Sequence, residues 1–151
     1  LNLPKNLIIY EKPKEYKDVF FKNRSDKDIN LIDYDGKLLL MNFWATWCEP
    51  CKEEMPSLDK LANDLNFESL KILPINIGQE KINKIEDFYK KNNIENLDIF
   101  YDTDVRLAKK FLLRGVPTTL IIGKEGGEVA RIVGSIDFQD ENFKTWLKTF
   151  D

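Results

Sequence analysis

The chain has 151 residues, of which 42% are hydrophobic and 12% aromatic, enough for one globular domain with a sizeable core and no need of a second. A formal charge of -3, from 23 basic and 26 acidic residues, gives no electrostatic reason for a nucleic acid or an anionic membrane surface as partner. No apolar run approaches the ~20 residues of a membrane-spanning helix, and because the chain opens on Leu1 rather than Met, a leader or membrane anchor upstream is the expectation.

Residues 1–28 are rich in Lys and Glu, with apolar patches only at Leu7–Tyr10 and Val19–Phe21, and read as an N-terminal extension to a domain over 29–151. Ile29–Ile32 and Leu38–Leu40 flank Asp35-Gly36, which predicts two strands joined by a tight hairpin turn. The second strand continues through Met41, Asn42, Phe43 and Trp44, an almost unbroken apolar run suited to a central strand buried on both faces. After Ala45-Thr46-Trp47-Cys48 a helix is predicted from Pro50, whose missing N–H costs little in a first turn. Met55, Leu58, Leu61, Ala62 and Leu65 form its inward stripe.

Leu70–Ile77 reads as another buried strand, and Ile82, Ile85, Phe88 and Tyr89 as an amphipathic helix. Leu97–Tyr101 gives a short strand, followed by a helix carrying Val105, Ala108, Phe111 and Leu112 and capped by Asp102, Thr103 or Asp104. Thr118–Ile122 and Glu128–Val133 pair across Gly126-Gly127, and Phe143, Trp146, Leu147 and Phe150 give a closing helix its buried face. Strands alternating with helices require a parallel component in the sheet.

Cys48 and Cys51 are the only cysteines. Two residues apart, they cannot staple distant parts of a fold, so they serve reactivity or metal. A closed zinc site needs about four ligands, and the chain has no His and no further Cys, which also excludes a Cys-His protease dyad. Redox use of the pair is the leading reading, with a bare Cu(I) site behind it. At the start of a helix, free N–H groups and aligned peptide dipoles favour a thiolate, which makes Cys48 the nucleophile and Cys51, one turn further in, the resolving thiol. The charge of Glu49 opposes that thiolate, so a mild acidification and a reducing character are expected.

Glu54 lies three residues beyond Cys51, close to the inward stripe. It is either a buried carboxyl exchanging a proton with Cys51 or an ordinary exposed helix glutamate. Asn42 reads as a hydrogen-bonded core amide at least as readily as a catalytic group. Trp47 serves packing or an apolar surface for a partner.

Phe43-Trp44-Ala45-Thr46-Trp47-Cys48-Glu49-Pro50-Cys51 resembles the active-site segment of thioredoxins, and Gly115-Val116-Pro117-Thr118 resembles their cis-proline loop. The Trp-Cys-Glu-Pro-Cys form, Glu54 followed by Pro56, the extra helix and strand between Gln79 and Tyr101, and Tyr101-Asp102-Thr103-Asp104 are similar to the TlpA/ResA-like branch. The resemblance covers about Ile29 to Phe150. Asn42 departs from the buried Asp usual in thioredoxins and agrees with the narrower branch.

The resemblance implies an α/β thioredoxin fold: a central mixed sheet flanked by helices, with an N-terminal β-hairpin extension and a central helix–strand insertion. It implies Cys48, Cys51 and Glu54 as catalytic residues. Trp47, Glu49, Pro50, Val116, Pro117 and Thr118 form the client-binding surface, with Pro117 in cis. No metal and no cofactor beyond a redox-active Cys48–Cys51 disulfide is expected. The implied protein is an extracytoplasmic, monomeric reductant, membrane-anchored upstream of Leu1. It would be refilled by a membrane thiol reductase and serve apocytochrome c or copper-site assembly proteins of cytochrome oxidase. A broad disulfide oxidase or isomerase and a non-catalytic copper-binding module are the alternatives.

Overall fold

A computed structural model describes residues 1–151. Eight strands form one mixed sheet: β1 (Leu7–Lys14), β2 (Phe20–Asn23), β3 (Asp28–Asn30), β4 (Leu38–Trp44), β5 (Leu70–Asn76), β6 (Phe100–Tyr101), β7 (Thr118–Ile122) and β8 (Glu128–Val133). Four helices accompany them: α1 (Glu49–Ala62), α2 (Ile82–Lys91), α3 (Arg106–Lys110) and α4 (Glu141–Lys148). The strand order is β1-β8-β7-β4-β5-β6-β2-β3, with β4 parallel to β5, β5 parallel to β6 and the remaining pairs antiparallel. No helix is long and apolar enough to cross a membrane.

The period-two alternation of β4 builds a core on each side of the sheet. Leu38, Leu40 and Trp44 face the core that holds α1, α2 and α4, while Leu39, Met41 and Phe43 face the one that holds Phe111, Tyr16 and Val19. All seven β4 residues are buried, as a central strand flanked by β5 and β7 requires. Asn42 is therefore on the α1 side, with hydrocarbon on both flanks.

The first 28 residues supply strands to opposite sides of the sheet. β1 pairs with β8 at one edge, and β2 lies between β6 and β3 near the other. The N-terminal hairpin is β2 with β3, while the inserted helix and strand are α2 and β6.

Local expectations fail in four places. Asp35-Gly36 does not close a hairpin: β4 already has β5 and β7 as neighbours, so β3 pairs with β2 instead. Leu31–Tyr34 forms a 3-10 turn that begins in a capping box between Asn30 and Asp33 and carries the chain from the sheet edge to its centre. Helix α1 ends at Ala62, leaving Ala62 and Leu65 exposed, Leu65 at 94%. The strand predicted over Leu97–Tyr101 is only Phe100–Tyr101, although Leu97 and Ile99 are buried. In α3 the buried residues are Leu107 and Phe111 rather than Val105 and Leu112, and Asp102 accepts a hydrogen bond from the Leu107 N–H although Val105 occupies the cap position.

Candidate active site

β4 runs through the middle of the sheet and releases the chain at Ala45, so the loop from Ala45 to Cys48 is mounted on the most enclosed strand. Cys48 caps α1 in an extended conformation, and its Sγ accepts the Cys51 N–H at 3.2 Å. The two cysteines form a disulfide with their Cα atoms 5.3 Å apart. Cys48 retains 5% of its surface and Cys51 none, so Cys48 is the more accessible of the two. Trp47, Glu49 and Pro50 stand exposed around it, Trp47 at 68%.

Glu54 lies one turn beyond Cys51 in the stripe formed by Cys51, Met55, Leu58 and Leu61, and it is buried. Its Oε1 accepts Asn42 Nδ2 at 2.9 Å and its Oε2 accepts the Ile136 N–H at 3.2 Å. Burial pushes the carboxyl up to about 7, against the pull of those two donors. Asn42 Nδ2 also donates to Thr119 Oγ1 at 2.9 Å, across the β4–β7 pairing that puts these two residues side by side. Glu54 is thus held by neutral donors alone and is poised to change charge near neutrality. Asn42 is its positioning partner as well as a core amide.

The Val116–Pro117 peptide is cis. Thr118, the first residue of β7, pairs with Phe43 of β4, so Pro117 sits level with the strand end from which Trp47 and Cys48 depart. Thr118 Oγ1 donates to Gly115 O at 2.8 Å and closes this loop on itself. Pro117 and Thr118 are buried and Val116 is half-buried. The structure therefore brings Cys48, Cys51, Glu54, Pro117 and Thr118 to one end of the sheet, with Trp47, Glu49 and Pro50 on its surface.

Glu80 belongs to this end too, and the sequence gives no direct sign of it. From the loop after β5 it accepts the Thr46 N–H at 2.8 Å, the Thr46 hydroxyl, Asn76 Nδ2 at 3.0 Å and Lys84 Nζ at 3.2 Å. Burial disfavours its charge, but these donors outweigh burial and hold the carboxyl below its ordinary value. Glu80 fixes Thr46, two residues before Cys48. The only signal available was a carboxylate in a short polar loop at the C-terminal end of a parallel strand, where sites collect in α/β sheets.

Such a sheet, with a sulfur pair at the head of a helix and a cis-proline level with it, defines a protein of the thioredoxin fold. Residues 14–131 match the AhpC/TSA family, and the chain belongs to that family, among the ResA-like members of the thioredoxin superfamily. It is 32% identical over 115 residues to the thiol-disulfide oxidoreductase ResA of Bacillus subtilis, covering 76% of this chain and 63% of that protein. To the ResA of Geobacillus thermodenitrificans it is 30% identical over 123 residues, or 82% of this chain and 70% of that protein. Among solved structures, the exposed lipoprotein thioredoxin Etrx1 of Streptococcus pneumoniae is similar, with a TM-score of 0.72 and 27% identity across 87% of this chain and 98% of that one. The match thus spans just under two thirds of the length of the Bacillus subtilis protein.

Proposed function

We propose that this chain is a thiol–disulfide oxidoreductase acting outside the cytoplasm as a reductant of particular protein disulfides. The observation that carries the reading is the disulfide at the start of α1 between Cys48, which keeps a little of its surface, and the fully enclosed Cys51, with the ionisable Glu54 a turn behind them. In the reduced protein the Cys48 thiolate attacks one sulfur of a client disulfide. A Cys48–client bond forms, the client S–S bond breaks and one client thiolate departs. Cys51 passes its proton to the Glu54 carboxylate and attacks Cys48 Sγ. The intramolecular disulfide forms and the second client sulfur leaves, so two electrons have moved to the client. The electrons are carried by the two sulfurs and the proton by Glu54.

Trp47, Glu49 and Pro50, with Val116, Pro117 and Thr118, are the residues we assign to docking the client as an extended segment. The names of the ResA relatives support the activity, and the exposed-lipoprotein neighbour supports an extracytoplasmic place and an anchor upstream. Within that reading, the clients are proteins of cytochrome c maturation or of copper-site assembly in cytochrome oxidase, and a membrane thiol reductase returns the disulfide to the dithiol.

Reduction of insulin by the intact chain, with Cys48→Ser and Cys51→Ser beside it, tests the reading. Turnover by the parent, none by Cys48→Ser and a stalled mixed disulfide with Cys51→Ser are the expected results. The stalled species, formed in an extract of the envelope, would carry the client itself. Trapping by Cys48→Ser in place of Cys51→Ser, or no stalled species with Cys51→Ser in the envelope extract, would overturn the assignment of roles.

A further inference from the structure

The turn after β8 touches three parts of the molecule that lie far apart in sequence. The Gly134 N–H donates to Pro117 O at 2.9 Å, and the Ile136 N–H donates to Glu54 Oε2 at 3.2 Å. The same turn is held from its other side by Asn6, just ahead of β1. Asn6 Nδ2 donates to Val133 O at 3.2 Å and to Ser135 O at 3.1 Å, while Asn6 O accepts the Val133 N–H at 3.1 Å. Gly134 takes a φ of +102°, where a side chain is strained, and a Cβ there would stand 3.4 Å from Asn6 Nδ2. Asn2–Lys5 line one cleft with Ile136 and Asp137, next to that clamp.

We propose that Asn6 is a positioning residue for Glu54: by clamping the carbonyls on both sides of Gly134 it aims the Ile136 N–H at the Glu54 carboxyl. The inference rests on the reading that Glu54 handles the Cys51 proton, and it adds a residue from outside the resemblance. The neighbours of that carboxyl are few. Glu53 on the same helix and Asp137 on the turn share a surface cleft with it, and Cys51 and Cys48 lie toward the start of α1. From β4 and β7 come only the neutral Asn42 and Thr119. The Ile136 N–H is therefore one of just two donors the carboxylate has, and it is the one supplied by a loop rather than a strand.

The test is a carbon-13 carboxyl titration of Glu54 in the oxidised protein, on Asn6→Leu, which keeps the bulk and removes both donors, and on Gly134→Ala, which strains the turn directly. Both variants are expected to move the Glu54 midpoint upward by about one pH unit, a tenfold change in its proton equilibrium. Asp151→Ala, which loosens the contact of Asp151 with Ser69 at the opposite end of β5, is expected to leave it in place. Folded Asn6→Leu or Gly134→Ala protein titrating at the parent midpoint would refute the positioning role, and so would an equal shift in Asp151→Ala. Should Asn6→Leu not fold, Gly134→Ala decides. If these midpoints move while Glu54→Gln leaves the pH profile of insulin reduction unchanged, the positioning stands and the part given to Glu54 in exchange falls.

Discussion

Of the four buried carboxylates, Glu54 and Glu128 lie on opposite faces of the sheet, and their surroundings differ in kind. Glu128, fully buried on the α3 side, is gripped by Arg131 through Nε at 2.7 Å and Nη2 at 3.0 Å and accepts the Tyr16 hydroxyl at 2.7 Å. Arg131 in turn donates to Phe111 O at 2.7 Å, which ties the end of α3 and the segment after β1 to β8. Glu54, on the α1 side, has an amide and a backbone N–H and no cation. The first arrangement settles a charge and so serves architecture. The second leaves the charge undecided, which suits a group that takes and returns a proton.

The sharpest way to break this contrast is Arg131→Met, which leaves the buried Glu128 without its cation. It is expected to cost about 3–5 kcal/mol in urea denaturation while the pH profile of insulin reduction stays where it was. A cost within experimental error would make the pair an ornament of the fold.

Glu54→Gln comes next. In the folded chain Glu54 protonates at about 7 against an ordinary 4.5, so between those values the folded state holds more protons than the unfolded one. Its contribution is complete below pH 4.5 and is lost as pH rises to about 7, roughly 3 kcal/mol in all. Denaturation of the oxidised protein across that range should show a stability that falls with pH in the parent and is flat in Glu54→Gln. A slope that survives the substitution would assign it to other groups. The smallest effect belongs to Tyr16→Phe, which deletes one donor to Glu128 and leaves Arg131 in place. About 1 kcal/mol of stability is expected to go, with exchange unaffected.

The same contrast explains what could be read from the sequence. Cys48, Cys51 and Pro117 were visible because they lie in short contiguous segments, and Glu54 because helical spacing set it beside the inward stripe. Glu80 and the turn at Gly134 were not. Thr46 is 34 residues from Glu80 and Glu54 is 82 from Ile136, and only the strand order brings each pair together. The Asp35-Gly36 dipeptide misled for a related reason. Turn chemistry describes what a local segment tolerates, whereas β4 had both its neighbours assigned by long-range pairing. Leu65, in phase with the α1 stripe, was lost because the helix stops three residues earlier. Arg131 and Glu128 were likewise hidden: three residues apart in a regular strand they would face opposite sides, and only the register shift between Glu128 and Ala130 turns them to one face.

Cys48 Sγ is at once the atom that meets the client and the acceptor that closes the first turn of α1. An anionic sulfur attracts an N–H far more strongly than one already bonded to another sulfur. In the oxidised chain the S–S bond and this hydrogen bond close the turn together, and once the pair is reduced the hydrogen bond holds it alone, most firmly when Cys48 is the thiolate. The Cys51 amide proton is thus a built-in gauge of the charge on Cys48, and its resonance should move as the thiolate forms in the reduced protein.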